Sequence, residues 1–328
     1  MRRNKIYSFV VAFIFFIPIV GLAQDDLLQM LEKVEPVKQE KVTATFKTTR
    51  VIQAHSIETV KRKTLDVRIS HRFGNIYSTR NDNDGPDSFF GFDNISDVRL
   101  AVEYGITDNV MIGLGRSQRH KLIDGFVKYR FYTQTTDNKR PISLAFFGNI
   151  AASPEKKSAF YSGVKDSLVQ TFGPSKKFLH RLSYTAQIII ARKFSPGVSI
   201  ELLPTYIHRN FVKNPLDENS MFALGVAGRF KVSKRVAIIA DYFYVFSPYR
   251  YNRKGAPFYM PISVGVEIET GGHVFHIDVS NAQGIVANNF LVESPASWEY
   301  AEIKLGFNIS RVFNLEKRLK KAKEVTEG

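Results

Sequence analysis

From residue 65 onward, apolar and polar positions alternate with a period of two, the repeat of a strand with one face in each environment. Twelve such runs can be marked, at 65–73, 98–106, 110–116, 122–132, 141–152, 180–193, 198–208, 221–231, 235–246, 259–269, 273–281 and 299–313. In the first, Leu65, Val67, Ile69 and Phe73 oppose Asp66, Arg68, Ser70 and Arg72. In the second, Val98, Leu100, Val102 and Tyr104 oppose Arg99 and Glu103, and in the fourth Ile123, Val127, Tyr129 and Phe131 oppose Asp124, Lys128 and Arg130. Charges on the apolar face fall only at strand ends, as at Arg116, Arg192 and Arg311.

The polar face mixes charge with glycine and alanine, which suits close approach inside a closed barrel better than the solvated face of a sandwich. The connections point the same way, because long and tight ones alternate. Gly74 to Asp97 is long and Thr107-Asp108-Asn109 tight; Ser153 to Leu179 is long and Ser195-Pro196-Gly197 tight. The rhythm continues to the long Ala282 to Trp298, with breaks at Ser117 to Lys121 and Thr133 to Arg140. The predicted fold is all-β: a closed antiparallel transmembrane β-barrel of about twelve strands, with short periplasmic turns and long outer loops.

The two ends add compartment and assembly. Arg2, Arg3 and Lys5 precede an apolar run from Ile6 to Val20 and the small residues of Gly21-Leu22-Ala23, so residues 1–23 read as a signal peptide cleaved after Ala23. Residues 24–63 form a periplasmic segment in two parts. Leu27, Leu28, Leu31 and Val34 have helical spacing up to Pro36, and 42–52 alternates like a strand. That second part could add a strand, plug the lumen or lie beneath the barrel. The barrel is expected over 64–313, closing on Phe307, Ile309 and Phe313, a pattern like the terminal signal by which barrels are recognised for insertion. A basic tail, 314–328, follows.

Composition then narrows the partners. The formal charge of +15 suggests nucleic acid until its placement is read, since three of those charges lie in the leader and others cluster at turns, as at Lys156-Lys157 and Lys234-Arg235. Export leaves nucleic acid aside and sets rim charge against lipid phosphates and lipopolysaccharide, with the barrel-assembly machinery as the folding partner. Cysteine is absent, which removes disulfides and thiolate chemistry.

Several segments together carry a family resemblance: 42–51 (VTATFKTTRV), 65–74 (LDVRISHRFG), 104–109 (YGITDN), 268–275 (IETGGHVF) and 306–313 (GFNISRVF). They resemble a domain-of-unknown-function family of outer-membrane-type β-barrel proteins over about Val42 to Leu315. The resemblance implies a barrel at the cell envelope and brings no activity or site residue with it.

The side chains predicted to line the lumen are Arg68, Arg72, Arg99, Lys128, Arg130, Arg181, Arg229 and Lys304, against Asp66, Glu103, Asp124, Glu201, Asp241, Glu267, Asp278 and Glu302, with His276 beside them. Their near balance fits either a neutralised pore lining or a ladder of ion pairs filling a narrow interior. No catalytic, cofactor or metal motif is found. His276 and Asp278 share a face while His273 does not, and two ligands on one strand make no metal site. Ser70 and His71 are adjacent and point to opposite faces, so no hydrolase pair forms. The run Asn81 to Asp87 lacks the closing Glu of a calcium loop. The expected role is a structural or passive-diffusion envelope barrel, with a lipid-acting enzyme as the alternative and a soluble periplasmic sandwich third.

Overall fold

The computed structural model describes residues 40–80, 85–164, 178–251 and 258–316. The expected leader (1–23), the helical run ahead of Pro36, the first part of the Asn81 to Asp87 run and the tail beyond Glu316 lie outside the described residues.

The twelve strands are β1 (Thr64–Asn75), β2 (Ile95–Gly105), β3 (Val110–Ser117), β4 (Ile123–Tyr132), β5 (Ser143–Ala152), β6 (Leu182–Ser195), β7 (Val198–Arg209), β8 (Ser220–Lys231), β9 (Val236–Phe246), β10 (Ile262–Glu269), β11 (His273–Ser280) and β12 (Lys304–Asn314). Each pairs antiparallel with its sequence neighbours, and β1 pairs with β12, so the sheet closes and leaves no free edge. Register at the seam sets Leu65 opposite Phe313, Ile69 opposite Ile309 and His71 opposite Phe307. Among the described residues no helix is long and apolar enough to cross a membrane.

Alternation becomes burial. Along β3, Met111, Gly113, Gly115 and Ser117 are buried inside while Ile112 and Leu114 stand exposed outside. The outward apolar residues are among the most exposed of the chain, with Leu114 at 69% and Leu100 at 57%. The wall needs inward glycine for room. A Cβ on Gly113 would lie 2.2 Å from the Phe126 ring, and one on Gly225 2.4 Å from the Phe243 ring.

Four expected strands begin two or more residues later, among them β5, which starts at Ser143 just past Pro141. Strand β12 starts at Lys304 and not near 299, because Ala301 adopts a left-handed φ of 54° and breaks the extended path. Strand β6 starts at Leu182, after a 3-10 turn at Phe178–Arg181, and β10 starts at Ile262. Residues 42–52 add no strand to the sheet. Together with the residues up to Lys63 they enter the barrel, turn and return to the start of β1.

Candidate functional site

The lumen is occupied from both ends. From the end with the tight turns, the N-terminal segment rises past Gln134, whose carbonyl accepts the Val42 N–H at 2.8 Å. It reverses at the top, where the Val51 N–H donates to the Ala54 carbonyl at 2.9 Å, and descends to Arg62 beside Gly105. Phe46, Val51, Ile52, Ala54, Ile57 and Val60 are all buried within it. From the opposite end, the loop between β11 and β12 folds inward, burying Ile285, Val286, Phe290 and Leu291. The two meet inside, where Gln53 Nε2 donates to the Gly284 carbonyl at 3.2 Å and Arg50 Nη1 to the Ile285 carbonyl at 3.5 Å.

Charged wall residues grip the backbone of this plug. Asp241 Oδ2, on β9, accepts the N–H groups of Ile52, Gln53 and Ala54 at 3.2, 2.6 and 2.9 Å. Lys128 Nζ, on β4, donates to the carbonyls of Thr49, Ser56 and Glu58 at 3.0, 2.8 and 3.0 Å. Glu201 accepts the Ile57 N–H at 3.2 Å, and Glu103 accepts the Thr49 hydroxyl at 2.5 Å. Arg68 Nη2 also donates to that hydroxyl, at 3.1 Å. Asp241 and Glu201 take backbone N–H groups, Glu103 a hydroxyl and Lys128 carbonyls, so hydrogen bonds offset part of the cost of burying these charges, while one oxygen each of Glu103, Glu201 and Asp241 is buried without a partner among the described residues.

Most of the other wall charges pair among themselves. Arg99 and Asp124 form a two-pronged pair to which Asn149 adds a 3.1 Å hydrogen bond. Arg72 lies 3.0 Å from Asp278, and Arg229 2.8 Å from Glu267. His276 Nε2 is 3.3 Å from Glu267, and Asp66 is 3.6 Å from Arg68. Arg130 is half-buried at the plug entrance, 3.5 Å from Glu58. Lys304 is buried with its ammonium on the Asn75 amide oxygen.

Two residues expected on lumen-facing strands sit elsewhere. Arg181 belongs to the 3-10 turn before β6, where its guanidinium donates to the Ser153 and Glu155 carbonyls and lies over the Phe160 ring. Glu302 precedes β12 and ties loop to loop, accepting the Ser297 N–H at 2.9 Å and pairing with Arg80 at 3.0 Å.

The inner wall also carries an apolar half: Met111, Phe126, Phe147, Ile189, Leu203, Ile207, Ile239 and Phe243 are buried against the plug and the infolded loop. Phe147 stacks on the plug's His55 at 3.8 Å, and Phe243 meets Phe290 at 5.1 Å.

Above the plug lies a cleft of about 200 Å³, lined by His120, Glu155, Arg181, Arg209, Asn288 and Glu293 among others. Here the infolded loop is latched to the β3–β4 turn, with Glu293 3.0 Å from both His120 Nε2 and Arg119. The hydrogen bond to Glu293 raises the His120 pKa above its ordinary value, with burial opposing. Burial pushes the Glu293 carboxyl up, yet the bonds from His120 and Arg119 outweigh it and hold it at about 2.

Residues 46–313 match the family described as a membrane bound beta barrel domain (DUF5777). The chain belongs to that family. No curated protein matches it. Among solved structures it is similar to the NanC porin, at 8% identity over 76% of this chain and 98% of that one, with a TM-score of 0.44. It is also similar to an outer membrane channel of Pseudomonas putida F1, at 10% identity over 78% and 98% of the two chains (TM-score 0.40). A third is the Acinetobacter baumannii outer membrane protein Omp33, at 8% identity over 79% and 100% (TM-score 0.36). The protein is an outer-membrane-type β-barrel, and its exposed outer band of Leu100, Leu114, Phe222 and their neighbours is the lipid-facing surface.

Proposed function

We propose that this barrel is a channel held closed at rest by its own N-terminal segment, in place of the open diffusion pore that its charged inner face would otherwise make. The observation that carries the reading is the way Asp241 and Lys128 hold the plug backbone. A permanently filled interior is served as well or better by apolar packing, because buried charges cost desolvation that their partners only offset. Charges beneath a plug suit a wall that water reaches in another state. The same reading takes in export through a leader cleaved after Ala23, insertion guided by Phe307, Ile309 and Phe313, and rim charge facing lipopolysaccharide.

Planar-bilayer conductance of the refolded full chain tests it. The full chain, and a variant whose infolded residues 285–292 are replaced by glycine and serine, should be silent or open rarely, and that variant lacking residues 42–60 as well, folded as judged by heat-modifiable gel mobility, should conduct steadily. Steady conductance by the full chain, or silence of the folded deletion variant, would overturn it.

A further inference from the structure

Between β1 and β2 a knuckle at residues 85–94 carries three exposed phenylalanines: Phe89 at 63%, Phe90 at 50% and Phe92 at 45%. Water alone gives no reason to present them together, and the backbone is bent to do so. Phe89 and Phe90 are consecutive left-handed residues, with φ of 46° and 54°, a region unfavourable for any side chain with a Cβ. The fold around them is tightly bonded. The Phe90 N–H donates to the Gly85 carbonyl at 2.6 Å, and Gly91 donates to the Ser88 hydroxyl at 3.1 Å. The Gly74 N–H, at the end of β1, lies 2.9 and 2.7 Å from the carbonyls of Gly91 and Asn94.

The knuckle is also aimed. Phe73 belongs to the outward set of β1, and its ring lies 4.8 Å from Phe92, which in turn lies 5.7 Å from Phe89. Ile95, paired with Phe73 across the strands, is 52% exposed. The outward face therefore continues from lipid-facing Ile69, past the half-buried His71 whose ring lies 4.1 Å from that of Phe73, through Phe73 and Phe92 to Phe89.

We infer that the 85–94 knuckle is a lipid-binding wedge, which extends the lipid-facing wall at the loop end by inserting Phe89, Phe90 and Phe92 among the acyl chains of the outer leaflet. The occupant follows from this continuity: a surface that prolongs a wall already facing acyl chains meets the same acyl chains. Aromatic rings are well placed at such an interface, where an apolar body sits at the edge of the headgroups. The inference does not depend on whether the plug moves.

The sole tryptophan, Trp298, makes the test direct. The full chain with Trp298→Phe and Phe90→Trp would be refolded into phosphatidylcholine vesicles with or without acyl-chain bromine, and folding confirmed by heat-modifiable mobility. Bromine should at least halve the emission, while added iodide should change it little. A second reporter, Phe89→Trp, should behave alike if the first fails to fold. Strong iodide quenching without bromine quenching would place the knuckle in water and overturn the inference. Shielding from both quenchers, with a cross-linked dimer that Phe89→Ser and Phe92→Ser abolish, would assign the surface to a second copy of the chain and overturn it equally.

Discussion

Asp241 and Gln53 meet through a 2.6 Å hydrogen bond in which the buried β9 carboxylate accepts a backbone N–H from the top of the plug. The same oxygen takes the N–H groups of Ile52 and Ala54, so one buried side chain satisfies three consecutive donors. A reversed segment with few bonds of its own becomes a defined plug by borrowing acceptors from the wall.

Replacing Asp241 with Leu removes that acceptor and leaves the three amides buried without it, at roughly 1–3 kcal/mol for each unsatisfied group before the plug relaxes. Hydrogen exchange at residues 52–54 should accelerate while exchange in the strands stays unchanged. Unaltered exchange at those amides would mean that packing alone holds the plug.

The outward face makes a separate demand. Leu114 is 69% exposed on the wall that meets lipid, and Arg there should impair assembly by ~2–4 kcal/mol if it lies near the bilayer midplane. Folding yield into vesicles against urea reads this out. Tolerance equal to that at an exposed turn residue such as Lys234 would mean that Leu114 does not meet lipid.

Much of this architecture is legible in the chain. Period-two patterning gives all twelve strands and their faces, since a one-residue slip would move every charge into lipid. The tight turns are legible too, being made of small and polar turn formers. The plug is less so, because 42–52 alternates like a strand yet its amides bond to Asp241 and Lys128, which are distant in sequence. The apolar half of the inner wall left a trace that alternation hides: Ile188-Ile189-Ile190, Leu202-Leu203 and Ile238-Ile239 are apolar on both faces, as strands buried on both sides are. Alternation places Arg181 and Glu302 on strands because local patterning cannot register a turn whose reason is a distant carbonyl or arginine.

The C-terminal seam separates strand from tail. Phe313 is opposite Leu65 on the lipid-facing side, with Arg311 over its ring, and the Leu315 N–H donates to the Lys63 carbonyl at 3.1 Å. Among the described residues Glu316 forms an exposed ion pair with Lys63, worth ~0–1 kcal/mol. Deleting Glu316 to Gly328 should leave a heat-modifiable barrel at near-normal yield, and Phe313→Ala in the full chain should lower the inserted yield. The reverse ranking would give the tail a part in folding.

The last prediction concerns pH at the outer latch. His120 is raised above its ordinary 6.5 by Glu293, so its contribution is fully present below that value and fades as pH rises through the raised one. Glu293 is depressed from 4.5 to about 2, so its contribution is present above 4.5 and fades as pH falls toward 2. The latch should therefore be strongest between about pH 4.5 and 6.5 and loosen on the alkaline side, where His120 loses its charge and only Arg119 still pairs with Glu293. Once corrected for the intrinsic base catalysis of exchange, hydrogen exchange at residues 285–292 should show less protection at pH 9 than at pH 6. His120→Gln, which keeps a polar side chain without the titration, should flatten that difference while leaving the strands unaffected. Persistence of the full pH dependence in His120→Gln would transfer the switch to another group and remove His120 from the latch.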